Sequence, residues 1–495
     1  MSPVAVIDIG SNSGRVVVLE RDRAGHMRLL TGSRAPLRLV RDVDEQENLS
    51  EASMARTMDA IRDFHAIAAG AGAKRVVAVA TAAMRDARNG SRFLERIRRE
   101  LRIRVEIIDG DQEAQYGFAG AVRALPVSNG MLFDMGGGSM QVSRFSDRRL
   151  ERAVSLPLGA LRLSEQFLSS DPPKSREMRR LHRQVWKHLT KARVGALRRG
   201  EQLLGTGGTL RNLAKIDRNA RQYPISRLHG YVLSAKGLHD IVGQIASMRQ
   251  KVRDEISGLS AERADSIVGG ALAIEALMEF VGAKNIVVSG QGVREGIALR
   301  LLKMEVAAIK AVKEASLASL VSRFDGWNAE TAARRRSVAA ALLRGLEPEP
   351  HPAIAEALDG GARVLDIGRS LDFVQRHELV AEILLATQLD GFTHQEVAFV
   401  AALVRRAGDR HASAKVFEPL ITAADRPRIS RAAVLLEMAD EIEARCARGR
   451  AISLTCEVGP TVRVSVPLLP SWQARDVGQR FERAFGRPLI VKTGG

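Results

Sequence analysis

Residues 4–20 read VAVIDIGSNSGRVVVLE, and residues 130–145 read GMLFDMGGGSMQVSRF. Each begins with a short apolar run, reaches an Asp, turns through Gly and Ser, and returns in a second run. That order predicts a β-hairpin at both places. Two copies of one unit point to an internal duplication of an α/β domain rather than a solenoid.

Working outward, Ser50–Gly70 alternates at helical spacing, with Ser50 as its N-cap. RVVAVATAAMR (75–85) reads as a buried strand ending in small residues and Arg85, and Phe93–Leu101 as a basic helix. VEIIDG (105–110) is a further strand, and DQEAQYGFAGAV opens a helix. LLGTGGTLRNLAK (203–215) and NIVVSGQGVREGIALRLL (285–302) each read as strand, Gly-rich turn and helix. Beyond about residue 305 long helical patterns take over, and the last stretch alternates as two strands, a helix and a strand. The expected division is 1–124 and 125–304 for the duplicated lobes, 305–446 for a helical domain, and 447–495 for a small α/β domain.

The chain has 495 residues, too many for one hydrophobic core. Aromatics are only 4%, so stacking platforms for single-stranded nucleic acid are poorly supplied. The formal charge of +18 predicts a polyanionic partner, or else a merely basic surface. Only Cys446 and Cys456 are present, which excludes a disulfide framework and fits a reducing compartment. The N-terminus runs at once into strand-like Val4-Ala5-Val6-Ile7, and no apolar run reaches transmembrane length. These features predict a cytoplasmic protein without membrane contact.

Phosphate oxygens are well held by backbone amides, and glycine lets them approach. Four turns offer this: Gly10-Ser11-Asn12-Ser13, Gly136-Gly137-Gly138-Ser139, Gly207-Gly208-Thr209 and Gly290-Gln291-Gly292. None has Walker-loop spacing. One such turn is just a turn, but four at strand ends of a duplicated frame predict a cleft holding phosphates on both sides. Asp8 and Asp134 precede the first two turns. A carboxylate repels phosphate unless a divalent cation lies between them, and Mg²⁺ needs only one or two carboxylates. For Asp8 an Asx-turn is the competing reading.

Together DIGSNSGR, TAAMRDARN, DGDQEAQYGFAGAV, DMGGGS, GTGGTLRNLA and GVREG resemble the exopolyphosphatase and guanosine pentaphosphate phosphatase family. The resemblance runs in order from residue 4 to about residue 300. It implies duplicated actin-like (ribonuclease H-like) lobes that remove terminal phosphate from inorganic polyphosphate, or the 5′ γ-phosphate from pppGpp. The implied cofactor is Mg²⁺, with Mn²⁺ as an alternative. Glu113 matches the family's catalytic glutamate, and a carboxylate there can orient and deprotonate a water. Arg85 matches a phosphate-contacting arginine, and Arg294 in GVREG is a second phosphate clamp or a structural partner of Glu295. The family usually follows GGGS with Thr and Glu, the Glu helping to hold the cation. Here those positions are Met140 and Gln141, so Gln141 is a neutral candidate ligand beside Asp134 and Asp8.

The segment around GARVLDIGRSLDF resembles the HD-type helical domain of longer family members. Asp366 follows Leu365 rather than His, which implies a metal-free domain for packing, homodimer formation or substrate contact, with His377 an ordinary helical histidine. The basic stretch 174–200 carries an apolar stripe at Leu181, Val185, Leu189 and Ala192, so it packs as a helix and shows a basic face. That face is a solvated surface or a track for a long polyanion, with no RNA-reading motif beside it. The sequence thus predicts an exopolyphosphatase. A pppGpp phosphatase, a polyphosphate- or nucleotide-binding regulator with weak turnover, and a kinase on the same superfold remain as alternatives.

Overall fold

The computed structural model describes residues 2–39 and 47–494. The chain forms two compact units. One comprises residues 1–222 and 228–315, the other residues 223–227 and 316–495.

The first unit opens with β1 (Val4–Ile9), β2 (Ser13–Arg21) and β3 (Met27–Pro36), then α1 (Glu51–Gly70) and β4 (Arg75–Ala80). The short α2 (Ala82–Asp86), α3 (Gly90–Leu101), β5 (Val105–Ile107) and α4 (Gly110–Ala124) follow. Ser50 caps α1, its side chain accepting from the Ser53 amide. The sheet order is β3-β2-β1-β4-β5. β1 is antiparallel to β2 and parallel to β4, which is parallel to β5. Val4, Ala5, Val6, Ile7 and Ile9 of β1 are all buried, as expected of a central strand covered on both faces.

The second sheet repeats the plan. Its elements are β6 (Gly130–Met135), β7 (Met140–Ser146), β8 (Arg149–Leu156), α5 (Ala160–Phe167), α6 (Ser175–Lys191), β9 (Gln202–Gly207) and α7 (Gly208–Ala220). They continue with β10 (Val232–Ser234), α8 (Ala235–Ser247), α9 (Gln250–Arg253), α10 (Ile267–Val281), β11 (Asn285–Val288) and α11 (Val293–Leu301). The order is β10-β11-β9-β6-β7-β8. Leaving aside the edge strand β10, β8-β7-β6-β9-β11 reproduces β3-β2-β1-β4-β5, with the same strand directions. The duplication read from two hairpins therefore extends to both whole sheets.

Two expectations need correction. The strand expected over 75–85 ends at Ala80, and Arg85 sits on α2, which begins after Thr81. The helix expected over 174–200 ends at Lys191, and Ala192 is its half-buried C-cap. Arg193 takes a left-handed φ of 53°. Arg144 and Arg152 donate to the carbonyls of residues 192, 193, 195 and 196, holding this loop over β7 and β8. Leu181, Val185 and Leu189 are fully buried as read.

After α12 (Ile309–Val321), the second unit packs α13 (Ala329–Leu346), α14 (Pro352–Val364), α15 (Arg376–Ala386), α16 (His394–Gly408) and α17 (Asp425–Arg445) around an aliphatic core. Its end has β12 (Thr455–Val458), β13 (Val462–Val466), α18 (Arg475–Phe485) and β14 (Leu489–Thr493) in a β12-β13-β14 sheet. Inside the helices, Arg335 is fully buried between Asp366 (2.9 Å) and Asp440 (2.7 Å). His377 is pushed down to about 4, chiefly by burial and by the nearby Arg376.

Candidate active site

The two hairpin turns are equivalent residue by residue. Asp8 is the fifth residue of β1 and Asp134 the fifth of β6. Each turn closes with one bond: the Gly10 amide donates to the Ser13 carbonyl (3.3 Å), and the Gly136 amide to the Ser139 carbonyl (2.9 Å). The turns face each other, since a Cβ placed on Gly137 would lie 3.9 Å from that of Ser11. The Ala160 and Leu161 amides at the start of α5 donate to the carbonyls of Gly136 and Gly137. With those carbonyls engaged, the amides of Gly137 and Gly138 have no backbone acceptor among the described residues, which leaves them for ligand oxygens.

Two further approaches complete the walls. Gly207, at φ +104°, joins β9 to α7, and a Cβ there would meet the Met135 carbonyl at 2.3 Å. Only glycine therefore lets α7 start beside the end of β6. Helices α4 and α11 cross with backbones nearly touching: a Cβ on Gly120 would lie 2.0 Å from the Gly292 carbonyl, and one on Gly296 1.9 Å from that of Tyr116. This crossing brings Glu113 in the first turn of α4 and Arg294 in the first turn of α11 to one place. The start of α4 is fixed by a capping box, in which Asp109 accepts from the Gln112 amide (2.8 Å) and Gln112 from the Asp109 amide (3.1 Å).

These elements enclose a cavity of about 150 Å³. Asp8, Glu113 and Asp134 line it together with Arg15, Arg211, Arg263 and Arg294. Among the described residues no ion pair joins these carboxylates to these arginines. Burial, then repulsion from Asp134 and Asp8, pushes Glu113 up to about 8, with Arg85 opposing. Burial raises Asp134 to about 6, where Arg211 opposes and Asp8 adds. Asp8 is raised too, chiefly by burial. Burial and Arg211 lower Arg15 to about 9 and Arg263 to about 10. Both signs of charge are desolvated in one small space, and the arginines offset the burial of the aspartates only in part. Such a site is completed by a ligand that is itself cationic on one side and anionic on the other.

Of the residues expected from sequence, Asp8, Gly10, Ser11, Asn12, Ser13, Glu113, Asp134, Gly136, Gly137, Gly138, Ser139, Gly207, Gly208 and Arg294 line the cavity. Arg85 does not; it donates to the Ile108 carbonyl (3.2 Å) and pairs with Asp86 (3.4 Å). Thr209 is buried, facing Gly270 of α10. Gln141 is buried behind the turn, where its Nε2 donates to Ser139 Oγ (2.8 Å) and Ser155 Oγ (3.4 Å). Arg15, Arg211 and Arg263 escaped the sequence reading. The first two stand inside the motifs DIGSNSGR and GTGGTLRNLA, whereas Arg263 belongs to no motif.

No group of three or more His, Cys, Asp or Glu among the described residues could hold a metal ion. The carboxylates are therefore no closed cage, though hard oxygen donors raised chiefly by burial suit a cation that also takes ligand oxygens.

The profile of the Ppx/GppA phosphatase family matches residues 17–305. The chain belongs to that family. Exopolyphosphatase 1 of Mycobacterium tuberculosis is 32% identical over 338 residues, which are 68% of this chain and 98% of that protein. Among solved structures, a Ppx/GppA member from Aquifex aeolicus is 29% identical, covers 61% of this chain and 98% of its own, and superposes with a TM-score of 0.55. An exopolyphosphatase from Cytophaga hutchinsonii is 25% identical over 62% of this chain and 99% of its own, with a TM-score of 0.57. Residues 17–305 carry every cavity-lining residue except those of the first turn, Asp8 to Arg15, and about a third of the chain lies outside the match to the mycobacterial relative.

Proposed function

We propose that the protein is an exopolyphosphatase, hydrolysing the terminal phosphoanhydride bond of inorganic polyphosphate. One observation carries this: three desolvated carboxylates and four arginines share a cavity without ion pairs among the described residues, in a chain whose residues 17–305 match the Ppx/GppA phosphatase family. The exopolyphosphatase names of its relatives favour the polymer over pppGpp.

In this reading the duplicated lobes are actin-like. The amides of Gly137 and Gly138, with the Gly10–Ser13 turn opposite, cradle the terminal phosphoryl group. Arg15, Arg211, Arg263 and Arg294 stabilise charge on its oxygens and on the leaving phosphate. Asp134 and Asp8 would hold Mg²⁺, which when bound neutralises part of the phosphate charge. Glu113 orients a water and takes its proton as the phosphorus–oxygen bond to the leaving chain breaks. The proton passes from Glu113 to solvent, the water oxygen stays on the released orthophosphate, and the departing polymer keeps the bridging oxygen. Gln141 acts behind the turn by holding Ser139 rather than by binding the cation. The free Cys446 and Cys456 fit the cytoplasm, and among the described residues no helix is long and apolar enough to cross a membrane.

The test is phosphate release from long-chain polyphosphate with Mg²⁺, comparing wild type with Glu113→Gln. Release abolished by the substitution, with polymer binding kept, supports the assignment. A wild type that binds the polymer yet releases nothing would make the protein a regulator instead.

A further inference from the structure

Helix α6 carries five cations on one line: Arg176, Arg180, Arg183, Lys187 and Lys191. Their spacing of i, i+4, i+7, i+11, i+15 puts them on one stripe, opposite the buried Leu181, Val185 and Leu189. All five are exposed. Among the described residues none has an ion-pair partner; Arg180 instead lies over the ring of Phe167, 5.9 Å from its centroid. The acids nearby are engaged elsewhere: Glu177 caps its own helix through Ser169 and Lys174, and Glu279 pairs with His182. Like charges at i, i+4 destabilise a helix, so an uninterrupted ladder of them weakens the fold that bears it. Folding does not explain the ladder, whereas a linear polyanion does.

The stripe lies on from the cavity. A second hollow shares Ser11, Gly137 and Gly138 with the cavity and is walled by Arg162, Glu165 and Gln166 of α5, with Glu47 and Asp86 also in its lining. Helix α5 ends at Phe167, the ring beneath Arg180. Helix α5 thus connects the hollow beside the phosphate turns with the cationic line, which spans roughly 22 Å at 1.5 Å per residue.

We propose that the outward stripe of α6 is a rail for inorganic polyphosphate, gripping the polymer at a distance from the end being cleaved. This rests on the exopolyphosphatase reading. A five-cation contact predicts strong salt dependence, with a slope near 0.7 per cation, so about 3.5 in log–log form. Raising salt from 50 to 200 mM would then weaken the rail's grip on the order of 10²-fold.

The experiment replaces Arg176, Arg180, Arg183 and Lys187 together by Gln, with an Arg→Lys triple variant (Arg176, Arg180, Arg183) as the charge-keeping control. Anisotropy of end-labelled polyphosphate, long and very short, reads binding without needing turnover. Phosphate release is measured in parallel. The expected result is long-chain Kd and KM raised at least tenfold, a shallower salt slope, unchanged short-chain values, and wild-type behaviour in the lysine variant. Equal losses on long and short chains, or none on either, would overturn the rail. So would a variant that loses single-stranded RNA binding while keeping long-chain polyphosphate. Should the Gln variant not fold, Lys187→Glu alone is read against the lysine variant by the same measures. If wild type releases no phosphate while the long-chain binding difference persists, the rail stands and the hydrolase reading fails.

Discussion

Arg15 and Gln141 occupy the same position in the two halves of the duplicated unit: Arg15 pairs across the hairpin with Asp8, and Gln141 with Asp134. Their surroundings differ. Arg15 lines the cavity, while Gln141 is buried and holds Ser139. The duplication has thus placed a cation opposite one aspartate and a neutral amide opposite the other. Arg294 and Arg15 offset the charge of Asp8, whereas that of Asp134 is offset chiefly by Arg211.

Replacing Gln141 by Glu adds a carboxylate across from Asp134. The metal concentration for half-maximal phosphate release should fall about tenfold, the size of one added charge interaction at a partly screened site. A metal titration of both proteins checks this. Unchanged or weaker metal dependence would show that position 141 works only through Ser139.

Glu113→Gln keeps the side-chain shape and removes the base. Phosphate release should drop by a factor of about 10² to 10⁴, with the Kd for polyphosphate within a few-fold of wild type. A comparable loss of binding would instead make Glu113 part of the binding surface.

The raised carboxyls set a pH dependence with a definite sign. A carboxyl whose folded-state pKa lies above its unfolded value binds more protons when folded, so it favours the fold at low pH. That contribution is lost as pH rises through about 6 for Asp134 and about 8 for Glu113. Metal-free protein should therefore melt lower at pH 8.5 than at pH 5.5, and Glu113→Gln should flatten the slope. For catalysis Glu113 must be ionised, so the acid limb of kcat/KM should move to lower pH as Mg²⁺ increases. Scanning calorimetry and pH–rate profiles at two Mg²⁺ concentrations measure both effects. A limb fixed in position at all metal concentrations would mean that no cation sits near Glu113.

Gly207→Ala puts a Cβ against the Met135 carbonyl at a left-handed φ. A loss of about 2 kcal/mol or more is expected, together with displacement of Arg211 one turn along α7. Urea unfolding and phosphate release should both suffer. A variant with full stability would show that β9 and β6 can separate at no cost.

In the second unit, Arg335→Ala leaves the buried Asp366 with Arg369 and Asp440 with Arg376 as their remaining ion-pair partners among the described residues. The expected destabilisation is about 3 to 5 kcal/mol. Restoring stability by adding Asp366→Asn and Asp440→Asn, measured by the same denaturant titration, would show that the cost is electrostatic rather than a packing void.

The hairpins, the aspartates before each turn and the Gly-rich turns were legible in the sequence, because turn chemistry and strand periodicity are local, while Glu113 stood out through the family resemblance of its motif. Gly10 and Ser13 are close through their own turn, and Asp109 caps the helix that bears Glu113 three residues beyond Gly110. The arginines were a different matter. A local pattern treats an arginine as a surface charge, and only the packing of the sheets and of α4 against α11 decides which ones turn inward. Arg15, Arg211 and Arg263 came to the cavity from three separate segments, Arg85 stayed off its wall, and Arg335, in the run Arg334-Arg335-Arg336, is fully buried. Gln141 likewise read as a ligand in the motif, but its amide is taken up by the hydroxyls of Ser139 and Ser155. The sequence by itself determined the duplicated frame and its phosphate turns, through contacts within a few residues. Which charges meet there was decided by the tertiary structure alone, because burial and distance between remote segments set the energy of a charge.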